Sequence, residues 1–131
     1  MSGSVESTIS EVAARLGINR NALSRLIYNE SRGNPFVGMS RDNYTAGIGQ
    51  ISRAVWQKYS KIPYEEASKP QFYKNNIFIA ALYLKENYIR FGNWTDALAA
   101  YNVGANALIQ IKKGQRKMPT ITKNYIKNFK G

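Results

Sequence analysis

Apolar residues recur three and four positions apart along most of the chain, and glycine, asparagine and proline punctuate the pattern. Val12, Ala13 and Leu16 share one face of a helix predicted over about residues 8–16, with Ser7 or Thr8 as its cap and Gly17 as its stop. Asn19 is the predicted cap of a second helix that runs to Ser31 and buries Leu23, Leu26 and Ile27. It ends at "RGNP", where glycine and Asn-Pro both disfavour continuation. Residues 32–50 are rich in glycine and asparagine and contain no convincing strand. Ser52 then caps a helix carrying Val55, Trp56 and Tyr59, and Pro63 and Pro70 bracket a second connection. Residues 72–91 form the longest predicted helix, with Ile77, Ala80, Ala81, Leu84 and Tyr88 in its stripe and Gly92 as its stop. A helix follows over 93–104, capped by Asn93 or Thr95 and stopped by Gly104, and two short ones over 105–113 and 122–129. The pattern predicts a mainly α fold in a single domain, residues 8–131. A flexible N-terminus, residues 1–7, precedes it, and "MSGS" there reads in part as an expression remnant. No repeat or low-complexity tract interrupts it.

Composition narrows the chemistry. A length of 131 residues suits one domain with a real core, and 44% apolar residues argue against disorder. The chain has no cysteine and no histidine, which excludes disulfides, a Cys/His zinc site, a cysteine nucleophile and a Ser-His-Asp triad. Catalysis must therefore rest on Asp, Glu, Lys, Tyr or a hydroxyl. Nineteen Lys and Arg against eight Asp and Glu give a net charge of +11, which draws the chain to polyanions. The excess is uneven: from Lys112 onward there are seven basic residues and no acid. No apolar run approaches the roughly 18 residues of a membrane span. The polar start lacks the regions of a secretory signal.

Two readings compete for residues 11–35, "EVAARLGINRNALSRLIYNESRGNP". Ala13, Gly17, Ile18 and Leu23 have the spacing of a helix-turn-helix, which would turn Arg20, Asn21, Ser24 and Arg25 outward toward DNA. The same spacing serves any pair of packed helices joined through a glycine stop. The second reading centres on Glu30, in the last turn of a helix whose buried face is apolar. The partial negative charge of a helix end and the loss of water both disfavour an ionised carboxylate there. An acid kept protonated near neutral pH is what a general acid requires. The plain alternative is a surface glutamate near Arg32.

Five motifs in order decide between them: "ESRGNP" (30–35), "GIGQI" (47–51), "NIFIAALYL" (76–84), "ALAAYNVGANAL" (97–108) and "YIKNF" (125–129). Together they resemble the soluble lytic transglycosylase family of peptidoglycan-cleaving enzymes, over about residues 9–129. The resemblance implies a lysozyme-like fold, mainly α with a short irregular or β-like segment after the catalytic helix, and a cleft for a glycan strand. It implies cleavage of the β-1,4 bond between N-acetylmuramic acid and N-acetylglucosamine without consumption of water, leaving 1,6-anhydromuramyl ends. Glu30 matches the family's single catalytic acid, and no metal or organic cofactor is implied.

Other matches imply substrate-side roles. Ser31 follows the acid and holds either the helix end or the carboxyl; Ser40 resembles a family serine but stands one residue late; Gln50 matches a cleft glutamine whose amide suits N-acetyl and hydroxyl partners. Tyr101 and Asn102 match the Tyr-Asn pair, and Tyr125 matches the late tyrosine. Two positions depart from the pattern. Gly49 stands where the family often has methionine, so that an apolar cleft wall is either missing or supplied by Met39 or Ile48, and Ala80 replaces a usual glycine. Asp42, in the same loop, carries the alternative reading of a hydrolytic lysozyme, should it face Glu30 and position water. DNA binding becomes the remote alternative, and nucleic acid is not expected as a partner. The implied partners are peptidoglycan strands and, through the basic surface, acidic wall polymers. The expected form is a monomer, or a domain of a larger virion protein, delivered to the envelope as a phage lysin or virion component.

Overall fold

Val5 is buried together with Thr8, Ile9, Val12 and Ala13, so the first helix, α1 (Gly3–Leu16), starts well before the position its apolar pattern predicts. Residues 3–7, expected to be flexible, are helical. Ser7 and Thr8 are not caps. Their hydroxyls donate back along the helix to the carbonyls of Gly3 and Ser4, the usual bond of such a residue inside a helix. The computed structural model describes residues 3–131. Met1 and Ser2, on which part of the remnant reading falls, lie outside the described residues.

The described chain is mainly α: seven helices and one small antiparallel hairpin. It divides into two units, one reaching to Leu82 and the other covering Tyr83–Gly131, with the division inside the longest helix. In the first unit, α1 packs on α2 (Arg20–Ser31). Asn19 caps α2 as its sequence predicts, its side-chain oxygen accepting from the Ala22 N–H at 2.8 Å. Strands β1 (Thr45–Ala46) and β2 (Ile51–Ser52) pair Thr45 with Ser52 and Ala46 with Ile51. Two residues per strand is too short for an alternating pattern to register, which is why residues 32–50 read as irregular. Ser52 caps α3 (Arg53–Tyr59), whose Trp56 is fully buried and donates its indole N–H to the Ile62 carbonyl at 2.7 Å. The connection between Pro63 and Pro70 holds two short 3-10 turns, Tyr64–Glu66 and Pro70–Phe72. They lead into α4 (Tyr73–Phe91).

The second unit holds the rest of α4 with α5 (Trp94–Val103), α6 (Ala105–Lys112) and α7 (Thr120–Ile126). Asn93, not Thr95, caps α5, accepting from the Asp96 N–H. Ala99, Ala100 and Leu108 form a small core, with Phe91, Val103, Met118 and Ile126 packed against it. Alanine on α5 lets its neighbours approach closely, and α5 packs on both α6 and α7. The last helix starts at Thr120, earlier than predicted, because Pro119 precedes it and sets an extended entry at φ −61° and ψ 148°. Among the described residues no helix is long and apolar enough to cross a membrane.

Candidate active site

Glu30 stands in the final turn of α2, half-buried. Behind it, Leu26 and Ile27 are fully buried and anchor the helix. The turn ends at Arg32, which takes the left-handed conformation (φ 57°) and donates its N–H to the Tyr28 carbonyl. Ser31 is buried, and its hydroxyl donates to the Ile27 carbonyl at 3.2 Å. Of the two roles the resemblance allows it, that is the helix-end one. These bonds close the helix immediately after the acid and present Glu30 from a fixed turn.

The residues after α2 form a hydrogen-bonded loop. Ser40 donates its hydroxyl proton to Asp42 Oδ1 at 2.5 Å, and the same carboxylate oxygen accepts the Tyr44 N–H at 3.1 Å. The Thr45 N–H donates to Ser40 Oγ at 3.1 Å. The hydrogen bond from Ser40, and then that from Tyr44, holds the exposed Asp42 carboxyl below its ordinary pKa of 3.8. A carboxylate with its folded pKa depressed supports the loop at every pH above its unfolded value and loses that support as pH falls through the folded one. The staple is therefore complete at neutral and mildly acidic pH.

Gln50 is turned into the hairpin. Its Nε2 donates to the carbonyls of Gly47 (2.9 Å) and Gly38 (3.2 Å), and its Oε1 accepts from the Thr45 hydroxyl at 2.9 Å. Both amide protons are engaged inside the protein, so the amide has only acceptor capacity left for a ligand. Thr45 joins Ser40 and Gln50 into one knot. Ile48 is 1% exposed and belongs to the core, so it cannot serve as a substrate-facing wall. Met39, by contrast, is 37% exposed.

A residue that entered the sequence reading only as the start of a motif organises this turn. Asn76, on α4, is fully buried. Its Oδ1 accepts the Gly49 N–H at 2.7 Å, and its Nδ2 donates to the carbonyls of Ala46 and Ala67, both at 3.0 Å. The available signal was the amide that opens the "NIFIAALYL" motif in the apolar stripe of α4, one turn before Ala80. Both glycines of "GIGQ" lie against it. A β-carbon at Gly47, where φ is +75°, would fall 2.2 Å from Asn76 Nδ2. At Gly49 the backbone is ordinary and the need is space: a β-carbon would meet Asn76 Oδ1 at 2.8 Å and the Ala80 methyl at 2.9 Å.

The two departures from the family pattern are thus one contact, with the methyl of Ala80 occupying room that a side chain at position 49 would need. Gly49→Ala is expected to cost about 2 kcal/mol through overpacking. Combined with Ala80→Gly, the loss should be smaller than the sum of the two single changes by about 1 kcal/mol. A double-mutant cycle in urea checks this, and strictly additive losses would show that the two positions do not share the space.

In the second unit, Tyr101 is half-buried on α5 and its ring packs against that of Tyr83, centroids 5.3 Å apart. Asn102 Oδ1 accepts the hydroxyl proton of the buried Thr122 at 2.7 Å, tying α5 to α7. Tyr125 is buried on α7, 6% exposed, close in sequence to that link. The structure thus gathers Ser40, Thr45 and Gln50 into one cluster of the first unit. Asn102 and Tyr125 lie on a pair of packed helices in the second.

A family model described as the transglycosylase SLT domain matches residues 7–124. The match takes in Glu30, Gln50 and the Tyr101–Asn102 pair and ends immediately before Tyr125. No curated protein and no solved structure matches the chain.

Proposed function

Because the chain belongs to the transglycosylase SLT domain family, and is thereby a peptidoglycan lytic transglycosylase, a lyase acting on polysaccharide, we propose that Glu30 is its catalytic acid and base and that its product is a 1,6-anhydromuramyl end. The observation that carries this reading is the position of Glu30. It is the carboxylate of the "ESRGNP" motif, half-buried in the closing turn of α2, within the matched residues.

The protonated carboxyl gives its proton to the glycosidic oxygen between N-acetylmuramic acid and N-acetylglucosamine, and the bond from that oxygen to the muramyl anomeric carbon breaks. The substrate's N-acetyl oxygen stabilises the positive centre. The Glu30 carboxylate then removes the proton of the muramyl C6 hydroxyl as that oxygen bonds to the anomeric carbon, and the acid is restored. No water enters. One carboxyl suffices because the nucleophile belongs to the same sugar and is held at a high effective concentration; an ordinary glycosidase needs two.

Gln50, Tyr101, Asn102 and Tyr125 are proposed on the family pattern to serve the substrate, Gln50 by accepting a hydrogen bond and by shaping the turn. Ser40 and Ser31 act through the loop and the helix end they hold. The wall is the expected site of action. The exposed Lys113, Arg116, Lys117, Lys123, Lys127 and Lys130 support attraction to its acidic polymers, weakening with salt.

The hydrolytic alternative makes Asp42 indispensable. Its carboxylate is engaged by Ser40 and Tyr44 of its own loop, which favours a structural role instead. Asp42→Ala is therefore expected to keep activity within about tenfold of the parent and to leave the product unchanged. Borohydride treatment of the digest checks this, since it reduces hydrolysed ends and spares anhydro ends. Complete loss of activity in Asp42→Ala, with reducible ends in the parent digest, would establish the hydrolase instead.

A further inference from the structure

Beside the hairpin that carries Gln50 lies a pocket of about 790 Å³, within the usual range for a ligand site. Met39, Tyr44, Ser52, Arg53, Tyr64 and Glu65 form much of its wall. The chain itself ties it to the candidate site. Met39 follows Gly38, whose carbonyl holds the Gln50 amide, and Ser52 pairs with Thr45 across the hairpin.

The inner wall is rigid: Tyr64 is buried, and its hydroxyl donates to the Ile51 carbonyl at 2.7 Å. The Arg53 guanidinium lies over the Tyr64 ring, 4.8 Å from its centre. Glu65 stands 3.6 Å from Arg53, too far for a hydrogen bond. Both side chains are more than half exposed, so their mutual attraction is worth little and opens readily. At the rim Tyr44 is 75% exposed, yet its backbone is pinned to Asp42. The Tyr44 ring is thus held at the rim of the pocket by an ordered loop.

An adjacent cation and anion, walled by Met39 and Tyr44, suit a ligand that carries both a carboxylate and an amino group on an aliphatic frame. The sugar rings of the strand carry no amine, and the lactyl carboxyl of muramic acid is uncharged wherever it is amide-linked to a peptide stem. The peptide stem borne by muramic acid carries carboxylates, and in many walls a free amine. We infer that this pocket binds the peptide stem of the substrate. Arg53 pairs with a stem carboxylate and Glu65 with a stem amine, while Tyr44 and Met39 cover the aliphatic portion. The assignment rests on the transglycosylase reading of Glu30 and adds to it a specificity element outside the reacting centre.

The test compares kcat/KM on intact glycan strands with that on strands stripped of peptide by an amidase, for the full chain and for Arg53→Ala and Glu65→Ala. Both positions are exposed, so folding is not at risk. The parent is expected to prefer intact strands by about tenfold, the scale of a charge-assisted contact. Each substitution should bring the ratio toward one by raising KM on intact strands alone. A ratio of one in the parent, or a ratio unmoved by either substitution, overturns the assignment. A parent inactive on both polymers is a different result: it overturns the reading of Glu30 and the pocket's role with it.

Discussion

Glu30→Gln is expected to lower the release of anhydromuropeptides by roughly 10³-fold, because one carboxyl serves as both acid and base and an amide can do neither. The fold should not notice the exchange. Glutamine has the same shape, position 30 is only half-buried, and α2 is anchored by Leu23, Leu26 and Ile27 instead. A thermal midpoint within about 2 °C of the parent is the expected companion result. Asp42→Ala under the same assay gives the contrast, a modest change in rate against a near-total loss. Equal losses in both would mean that two carboxyls share the chemistry.

Asn76→Ala should produce the largest loss of stability, about 4 kcal/mol in urea denaturation. The change removes three hydrogen bonds at once and leaves the Gly49 N–H and the carbonyls of Ala46 and Ala67 without their partner. Each such buried group costs about 1–3 kcal/mol. Asn76→Asp should be no milder, since a carboxylate can still accept from Gly49 but offers no proton to the two carbonyls. Because a folded domain is stable by only about 5–15 kcal/mol, either variant is expected to be marginal. A loss under about 1 kcal/mol would show that water replaces the amide and that the clamp is dispensable. The effect also reaches the site: the clamped residues lead directly into Gln50, so a loosened turn should weaken glycan binding in whatever fraction stays folded.

Much of the helical frame was legible because its signals are local. Asn19, Ser52 and Asn93 each cap a helix with a side-chain oxygen that accepts from the backbone N–H three residues on. That interaction depends on neighbouring residues alone. Ser7 and Thr8 have the same chemistry and mislead, since burial of Val5 extends the helix past them and their hydroxyls bond backward instead. The helix-turn-helix look of residues 11–35 was also real as packing: α1 and α2 do pair. Arg20, which would have faced DNA, is bound by Glu6 and Ser10 across that pair.

The turn around Gln50 was legible only as a motif. Nothing local tells that Ile48 points into the core, or that Gln50 uses both amide protons on its own hairpin. The clamp at Asn76 joins backbone groups 9 to 30 residues away. Long-range satisfaction of buried polar groups has no period in the sequence. What remains visible is its residue, an amide in an apolar stripe and two glycines that leave room for it.

The central claim is that the bond is broken without water. Digesting purified peptidoglycan in heavy-oxygen water and weighing the released muropeptides tests it most directly. Products that are one water lighter than lysozyme products and carry no heavy oxygen are predicted, and their absence with Glu30→Gln. Products of full mass bearing the label would contradict the account and identify a hydrolase.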